Sequence, residues 1–197
     1  MSGIAFFDFD GTITRKDTLW EVIRFQKGSI ALYGGMVRLL PALIGFKLKR
    51  IAAQEMKERV LRYYFGNISQ QEFEEGCRRF CTDRLPLLVR DQALAAIRQH
   101  QQQGNRVVVV SASVENWVAP WCEVQDIGCI ASRLEITDQR LTGNLQGNNC
   151  NGPEKVNRIR EQFNLHDYTE IYAYGDSEGD KPMLALAQHP EYKPFRK

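Results

Sequence analysis

The chain has 197 residues, 43% of them hydrophobic and 25% charged, long enough to bury a sizeable core as one domain with an insertion or as two small domains. A net charge of +2 with no aromatic-interleaved basic stripe excludes nucleic acid as an expected partner. Cys77, Cys81, Cys122, Cys129 and Cys150 make an odd set without the close pairs of a zinc site, and no charged start followed by an apolar stretch marks export, so reduced thiols in a cytoplasmic protein are expected.

The chain opens on Ile4-Ala5-Phe6-Phe7, an apolar and aromatic run that predicts a buried strand, and that run meets Asp8-Phe9-Asp10-Gly11. Period-two alternation places Asp8 and Asp10 on one side with Phe9 turned away, so that two oxygens can converge on one hard cation. From Asp17 to about Gln103 the pattern is helical. Leu19, Val22, Ile23 and Phe25 mark one amphipathic helix, and Met56, Val60, Leu61 and Tyr64 another. Ser69-Gln70-Gln71-Glu72 reads as a capping box before Phe73, Cys77 and Phe80, and a further helix carries Ala93, Leu94 and Ile97 towards Gly104.

Beyond Asn105 strands and helices alternate. Arg106 to Ser111 is a continuous apolar run of the kind buried in a parallel sheet, and Glu115 to Val124 follows as a helix. Cys129 to Ser132 is a strand, Leu134 to Leu145 a hairpin turning near Asp138-Gln139, and Pro153 suits the first turn of a helix running to Phe163. Glu170 to Tyr174 predicts a strand ending at Gly175-Asp176, with a short helix from about Pro182. The expected fold is α/β: a Rossmann-like parallel sheet with helices on both faces, residues 1–15 and 104–197, and an all-helical insert, residues 16–103, after the first strand.

In such sheets ligands bind beyond the carboxyl ends of the strands, and three predicted strands end in chemically capable residues: Asp8 with Asp10, Ser111, and Asp176. Each has an ordinary explanation taken alone. Asp-Gly is a common turn pair, Ser111, Asp176 and Thr12 suit helix caps or turns, and Lys155 suits a solvated helix face. Taken as one ordered set those explanations fail together. A carboxylate at Asp8 can attack phosphorus, Asp10 can protonate a leaving alkoxide, and Lys155 can neutralise charge on a transferring phosphoryl group. Ser111 and backbone N–H groups near Phe9, Asp10 and Ala112 can hold its oxygens, while Asp8, the Asp10 carbonyl and Asp176 suit Mg²⁺.

These residues resemble the four motifs of the haloacid dehalogenase superfamily: Asp8-Phe9-Asp10-Gly11-Thr12; Ser111 in Val110-Ser111-Ala112-Ser113; Lys155 in Gly152-Pro153-Glu154-Lys155-Val156; and Gly175-Asp176-Ser177-Glu178-Gly179-Asp180. The resemblance implies a Mg²⁺-dependent phosphomonoester phosphatase working through an aspartyl-phosphate on Asp8, with Asp10 as general acid/base. It also implies that Thr12, Ser111, Ala112 and Lys155 bind phosphate, that Asp8, Asp10 and Asp176 hold metal, and that Asp180 supports the metal shell. Relatives that cleave carbon–halogen bonds usually lack the second aspartate, which Asp10 supplies here.

The helical insert resembles the cap of the phosphoserine-phosphatase-like branch, which would cover the active site and choose the substrate. Three positions depart from phosphoserine phosphatases proper: Asp17 stands where they carry a glutamate, the second motif reads Ser-Ala-Ser for Ser-Gly-Gly, and Gly179 replaces an asparagine. Ile30 to Leu48 is mostly apolar and is followed closely by Lys47, Lys49 and Arg50. Arg38 and Pro41 inside it argue against a membrane span and leave two readings: a buried hairpin of two helices broken near Pro41, which is favoured, or a segment, about residues 30–50, that touches a membrane surface. The second resembles the bacterial phosphatidylglycerophosphatases of the same branch and makes a lipid phosphate the alternative to a small phosphorylated metabolite. A membrane-associated binding module without turnover, and a phosphotransferase or mutase, are the readings from other classes.

Overall fold

The computed structural model describes residues 3–196. In chain order, strand β1 (Ile4–Phe7) leads through a tight turn at Phe9–Ile13 into helices α1 (Thr18–Arg38), α2 (Leu40–Lys47), α3 (Ala53–Phe65), α4 (Gln70–Asp83) and α5 (Asp91–Gln102). There follow β2 (Arg106–Val114), α6 (Glu115–Val124), β3 (Gly128–Ser132), the hairpin β4 (Leu134–Thr137) and β5 (Arg140–Leu145), α7 (Pro153–Gln162), β6 (Ile171–Gly175), α8 (Lys181–Leu184) and β7 (His189–Tyr192).

Five strands form a parallel sheet in the order β3-β2-β1-β6-β7, with β1 in the middle. Ile4 lies opposite Arg106 and Ile171, and Phe7 opposite Val109 and Tyr174. Alternation then sends Ala5, Phe7, Val107 and Val109 to one hydrophobic core, and Ile4, Phe6, Val108 and Val110 to another. Trp117 of α6 and Ile97 of α5 cover the first face, while Ile159 of α7 and Met183 of α8 cover the second. Both faces are therefore buried, which is why the strands read as continuous apolar runs. Edge strand β7 is absent from the sequence expectation: His189-Pro190-Glu191-Tyr192 is exposed throughout and carries a proline tolerated only at a sheet edge.

The hairpin turns where expected, with Asp138 and Gln139 both at positive φ, 50° and 60°, as a two-residue turn of this hand requires. Ser69 caps α4 by accepting the Glu72 N–H at 3.2 Å. Helix α1 is longer than its apolar spacing suggests and is broken internally at Gly28.

The chain enters and leaves the helical insert on two short segments bonded to each other. Arg15 N–H donates to the Leu88 carbonyl and Arg90 N–H to the Ile13 carbonyl, both at 2.8 Å, around an antiparallel bridge between Thr14 and Val89. Helix α5 follows this return and packs on the sheet, where His100 meets the rings of Phe7, Tyr172 and Tyr174. A second attachment ties the insert to the β4–β5 hairpin: Asn67 N–H donates to the Leu141 carbonyl at 2.8 Å, and Leu141 N–H to the Ile68 carbonyl at 3.0 Å.

The apolar stretch from Ile30 to Leu48 does form two helices, bent by 62° at a break on Leu39, beside Pro41. The expectation that this hairpin is buried is wrong. Helix α2 has no buried residue, and Ile30 and Val37 are 92% and 72% exposed. Helical spacing identifies one apolar face, but the neighbouring helices cover only the opposite side, through Leu32, Gly35 and Met36.

Candidate active site

The sheet delivers its polar residues to one end. Asp8 follows β1 directly, its N–H donating to the Tyr174 carbonyl at 2.8 Å, and its side chain is buried. Lys155, on the first turns of α7, reaches the same point with its ammonium fully enclosed. Its Nζ donates to Asp8 Oδ1 at 2.6 Å, Asp180 Oδ1 at 2.7 Å and the Val110 carbonyl at 2.7 Å. All three donor positions of the ammonium are thus used. Burial opposes the charged ammonium, but the Asp8 and Asp180 carboxylates outweigh it and hold its pKa above the ordinary lysine value. Burial also raises the Asp8 carboxyl, against the pull of Lys155, to about 7.

Asp180 is fully engaged. Beyond Lys155, its Oδ2 accepts the N–H groups of Asp176 at 3.1 Å and Ser177 at 2.9 Å and the Ser177 hydroxyl at 2.7 Å. Burial works against its ionisation, yet the Lys155 charge prevails and keeps its pKa low. Asp8, Asp176 and Asp180 each place a carboxylate oxygen within 4.8 Å of the others. An oxygen-only set of this kind fits Mg²⁺. Asp8 and Asp176 suit ligand positions, whereas Asp180, with both oxygens committed, orients the loop that carries Asp176.

Asp10 lies elsewhere. The strand ends at Phe7, and the Phe9–Ile13 turn swings the Asp10 carboxylate out of the acidic group, so the convergence of both side chains on one cation does not occur. Its Oδ1 accepts the Thr18 N–H at 2.8 Å, and its Oδ2 accepts the Ser113 hydroxyl. Thr18 and Ser113 share a hydroxyl contact of 3.1 Å, and Trp117 Nε1 donates to the Thr18 hydroxyl at 2.9 Å. Burial raises the Asp10 pKa against these hydrogen bonds. Phe9, between the two aspartates, packs against Trp121 with ring centroids 5.5 Å apart.

The remaining expected residues surround this pair. Ser111 is buried on β2, its hydroxyl accepting the Ser113 N–H at 2.9 Å across an irregularity in the β2–β3 pairing. The Ala112 carbonyl is held from outside by the Ser132 hydroxyl at 2.8 Å and by Lys57. Thr12 directs its hydroxyl at Asp176 Oδ1 from 3.5 Å, the outer limit of a hydrogen bond. Gly11 adopts φ +84°, and a Cβ there would come within 2.5 Å of the Asp176 carboxylate, so the turn and the fourth motif approach through a position only glycine fills. Arg196, near the end of the described chain, donates to Asp176 Oδ2 while Phe195 stacks on Tyr174.

A cavity of about 230 Å³ opens beside Asp10, between the insert and the sheet end. Asp10, Ala112 and Ser113 form its floor; Leu19, Trp20, Leu43, Phe46, Met56 and Val60 give it apolar walls; Asp17 and Lys57 supply its charges. A larger groove of about 840 Å³ lies along Phe163, Leu165 and Gln188 at the amino end of the sheet, away from the site residues.

Sequence reasoning missed Lys57, Ser113 and Thr18. Lys57 crosses from α3 to donate to the Ala112 carbonyl and, at 3.0 Å, to Asn149 Oδ1, and burial lowers its pKa to about 8. Its signal was available, because it falls three and four residues before Val60 and Leu61 on the apolar side of an amphipathic helix. Gly179 also gains an explanation: a Cβ there would lie 2.0 Å from Asn151 Oδ1, so the asparagine at 151 occupies the space a side chain at 179 would need.

Comparison with known proteins agrees with this geometry. Residues 5–185 match the sequence model of haloacid dehalogenase-like hydrolases. The chain belongs to that family. Among its relatives, Protein CicA of Caulobacter vibrioides is 36% identical over 194 residues, covering 96% of this chain and 85% of the other. A histidinol-phosphatase of Neisseria meningitidis serogroup C is 26% identical over 212 residues, covering 96% and 89%. Among solved structures, a substrate-bound phosphoserine phosphatase superposes with a TM-score of 0.64 at 20% identity, covering 95% of this chain and 83% of that one, a likeness of fold. The chain is thus a phosphatase-like hydrolase of the haloacid dehalogenase family, with the parallel sheet of the phosphoserine phosphatases.

Proposed function

We propose that this chain hydrolyses a phosphomonoester through an aspartyl-phosphate on Asp8, with Mg²⁺ as cofactor. The observation that carries the reading is the division between the two aspartates. Asp8 is locked against Lys155 beside Asp176, whereas Asp10, two residues on, is held by Thr18 and Ser113 at the floor of the cavity. Two carboxyls in two environments suit two roles.

In this reading the Asp8 carboxylate attacks phosphorus, and Asp10 gives its proton to the leaving alkoxide on the cavity side. Its raised pKa, set by burial, favours the proton-bearing form this step needs. Water then attacks the aspartyl-phosphate while Asp10 takes back a proton, which releases phosphate and restores Asp8. The Ser111 hydroxyl and the backbone around Ala112 would hold the phosphoryl oxygens, with Lys155 supplying its positive charge from behind Asp8 and Thr12 bracing Asp176. Asp8, the Asp10 carbonyl and Asp176 would hold Mg²⁺, which supplies positive charge against the phosphoryl oxygens and keeps Asp8 ionised.

The cap, expected over residues 16–103, is proposed to end near residue 87, since its crossings pair at Arg15 with Leu88 and α5 packs on the sheet. The apolar walls together with Asp17 and Lys57 suit a leaving group with an apolar body and a polar end, from a small metabolite or a lipid phosphate. Hydrolysis of an aryl phosphate by the purified chain should require Mg²⁺ and disappear in Asp8→Asn, and brief acid quenching of the wild type should trap a phosphorylated protein. Activity retained in Asp8→Asn would overturn the mechanism. A phosphate-release screen over phosphoamino acids, sugar phosphates, nucleotides and lipid phosphates then identifies the substrate class.

A further inference from the structure

We infer that the outer face of α1 and α2 is a docking surface for an anionic lipid bilayer, seating the cap on the membrane with the cavity beside it. Ile30, Tyr33 and Val37 follow at helical spacing on the second half of α1, and Leu40, Ile44 and Leu48 continue the stripe along α2. All six are more than half exposed. Contiguous exposed apolar side chains of this size mark an interaction site rather than the scattered apolar surface of any protein.

Charge selects the occupant. Between Glu21 and Glu55 there is no acidic residue, while Arg24, Lys27, Arg38, Lys47, Lys49 and Arg50 are all basic. Arg24 is answered by Glu21 at 3.7 Å and Lys27 lies over the Phe65 ring, but Arg38, Lys47, Lys49 and Arg50 are exposed around the stripe. A second copy of the chain would bring this basic rim against itself, whereas an anionic headgroup layer complements it while the stripe enters the acyl boundary. Among the described residues no single helix is long and apolar enough to cross a membrane, and the 62° bend between α1 and α2 leaves them as two short limbs suited to lying on one. The same α2 that presents Leu40 and Ile44 outward lines the cavity with Leu43 and Phe46. Docking therefore sets the cavity against the headgroup layer.

The test uses the full chain and sucrose-loaded vesicles of phosphatidylcholine alone or with about a third phosphatidylglycerol, the mixed composition giving the anionic surface. The chain should sediment with the mixed vesicles, less so in high salt, and little with the neutral ones. Each cation near the surface strengthens partition about fivefold, so Lys47→Glu/Lys49→Glu/Arg50→Glu should weaken it by on the order of a hundredfold or more. Val37→Asp should weaken it at unchanged charge on the rim, and both variants should keep wild-type circular dichroism and aryl phosphate hydrolysis.

Equal sedimentation with neutral and anionic vesicles, or none with either, overturns the inference. So does a dimer in analytical ultracentrifugation that Val37→Asp dissociates, because the face would then belong to a second copy. The catalytic reading fails separately. Vesicle binding without phosphate release from any phosphomonoester would leave the surface standing and remove the enzyme, and release without binding would do the reverse.

Discussion

At the carboxyl end of the sheet three ionisable side chains are buried, Asp8 and Asp180 both bonded to Lys155, whereas on the helical insert six large apolar side chains from Ile30 to Leu48 are more than half exposed. Each arrangement costs free energy that folding alone has no reason to spend. The buried charges show where a polar reaction is prepared in advance, with its groups held before substrate arrives. The exposed apolar face has the opposite character, for its partner comes from outside the chain. The difference teaches that the catalytic set and the surface that brings the molecule to its work are separable, and that each breaks under a different kind of substitution.

The largest effect should come from the buried triad. Lys155→Met leaves Asp8 and Asp180 without their cation, and a broken buried pair costs roughly 3–5 kcal/mol, so the variant should melt far below wild type and release no phosphate. Adding Asp180→Asn to that variant should recover part of the melting temperature and none of the turnover. Recovery of both would show that the triad serves stability alone.

Asp10→Asn should be milder for folding and severe for chemistry, slowing release of alkyl alcohols by about 10²–10⁴-fold in kcat. Nitrophenyl phosphate, whose leaving group needs less protonation, should suffer less. Ser113→Ala removes a donor that favours ionised Asp10, so the Asp10 pKa should rise further and the alkaline limb of the kcat profile should move to higher pH. An unmoved limb would take Asp10 out of the acid role.

In the cap the expected effects are smaller. Glu21 is buried and meets Arg84 at 3.0 Å and Lys16 at 3.2 Å; burial opposes its ionisation, but these cations prevail and hold its pKa below 4.5. A folded pKa below the unfolded one contributes stability above the unfolded pKa and loses it as pH falls through the folded one. Glu21→Gln should therefore cost about 1 kcal/mol at neutral pH, with the melting difference closing below pH 4.5. Smallest of all, Gln139→Gly at φ 60° should stabilise the hairpin by up to about 1 kcal/mol in urea denaturation without touching activity.

The site was legible because it is built from strand ends. Asp8, Ser111 and Asp176 each close or follow a parallel strand, and the order of those strands in the sheet brings them together with Lys155 and Asp180 without any knowledge of side-chain contacts. Ser113 and Thr18 were not legible, and Lys57 was marked only as a cation on an apolar helix face, since each acts across a long sequence separation: Thr18 reaches Ser113 over 95 residues, and Lys57 reaches Ala112 over 55. Period-two reasoning also failed for Asp10, because the strand stops at Phe7 and alternation has no meaning in the turn beyond. The same limit governs α1 and α2. Apolar spacing announces that a face wants covering, and only the packing of α3 and α4 shows which side is covered.

The two attachments of the cap have a mechanical consequence. One is the bonded crossing of Arg15 and Leu88 beneath α1; the other is the seam between Asn67, Ile68 and Leu141 at the hairpin. Lys57 adds a third tie, to the Ala112 carbonyl and to Asn149, and a body held at three places has no free rotation left. The α1–α2 limb therefore stands at a fixed angle to the sheet, and whatever grips that limb orients the sheet end with it.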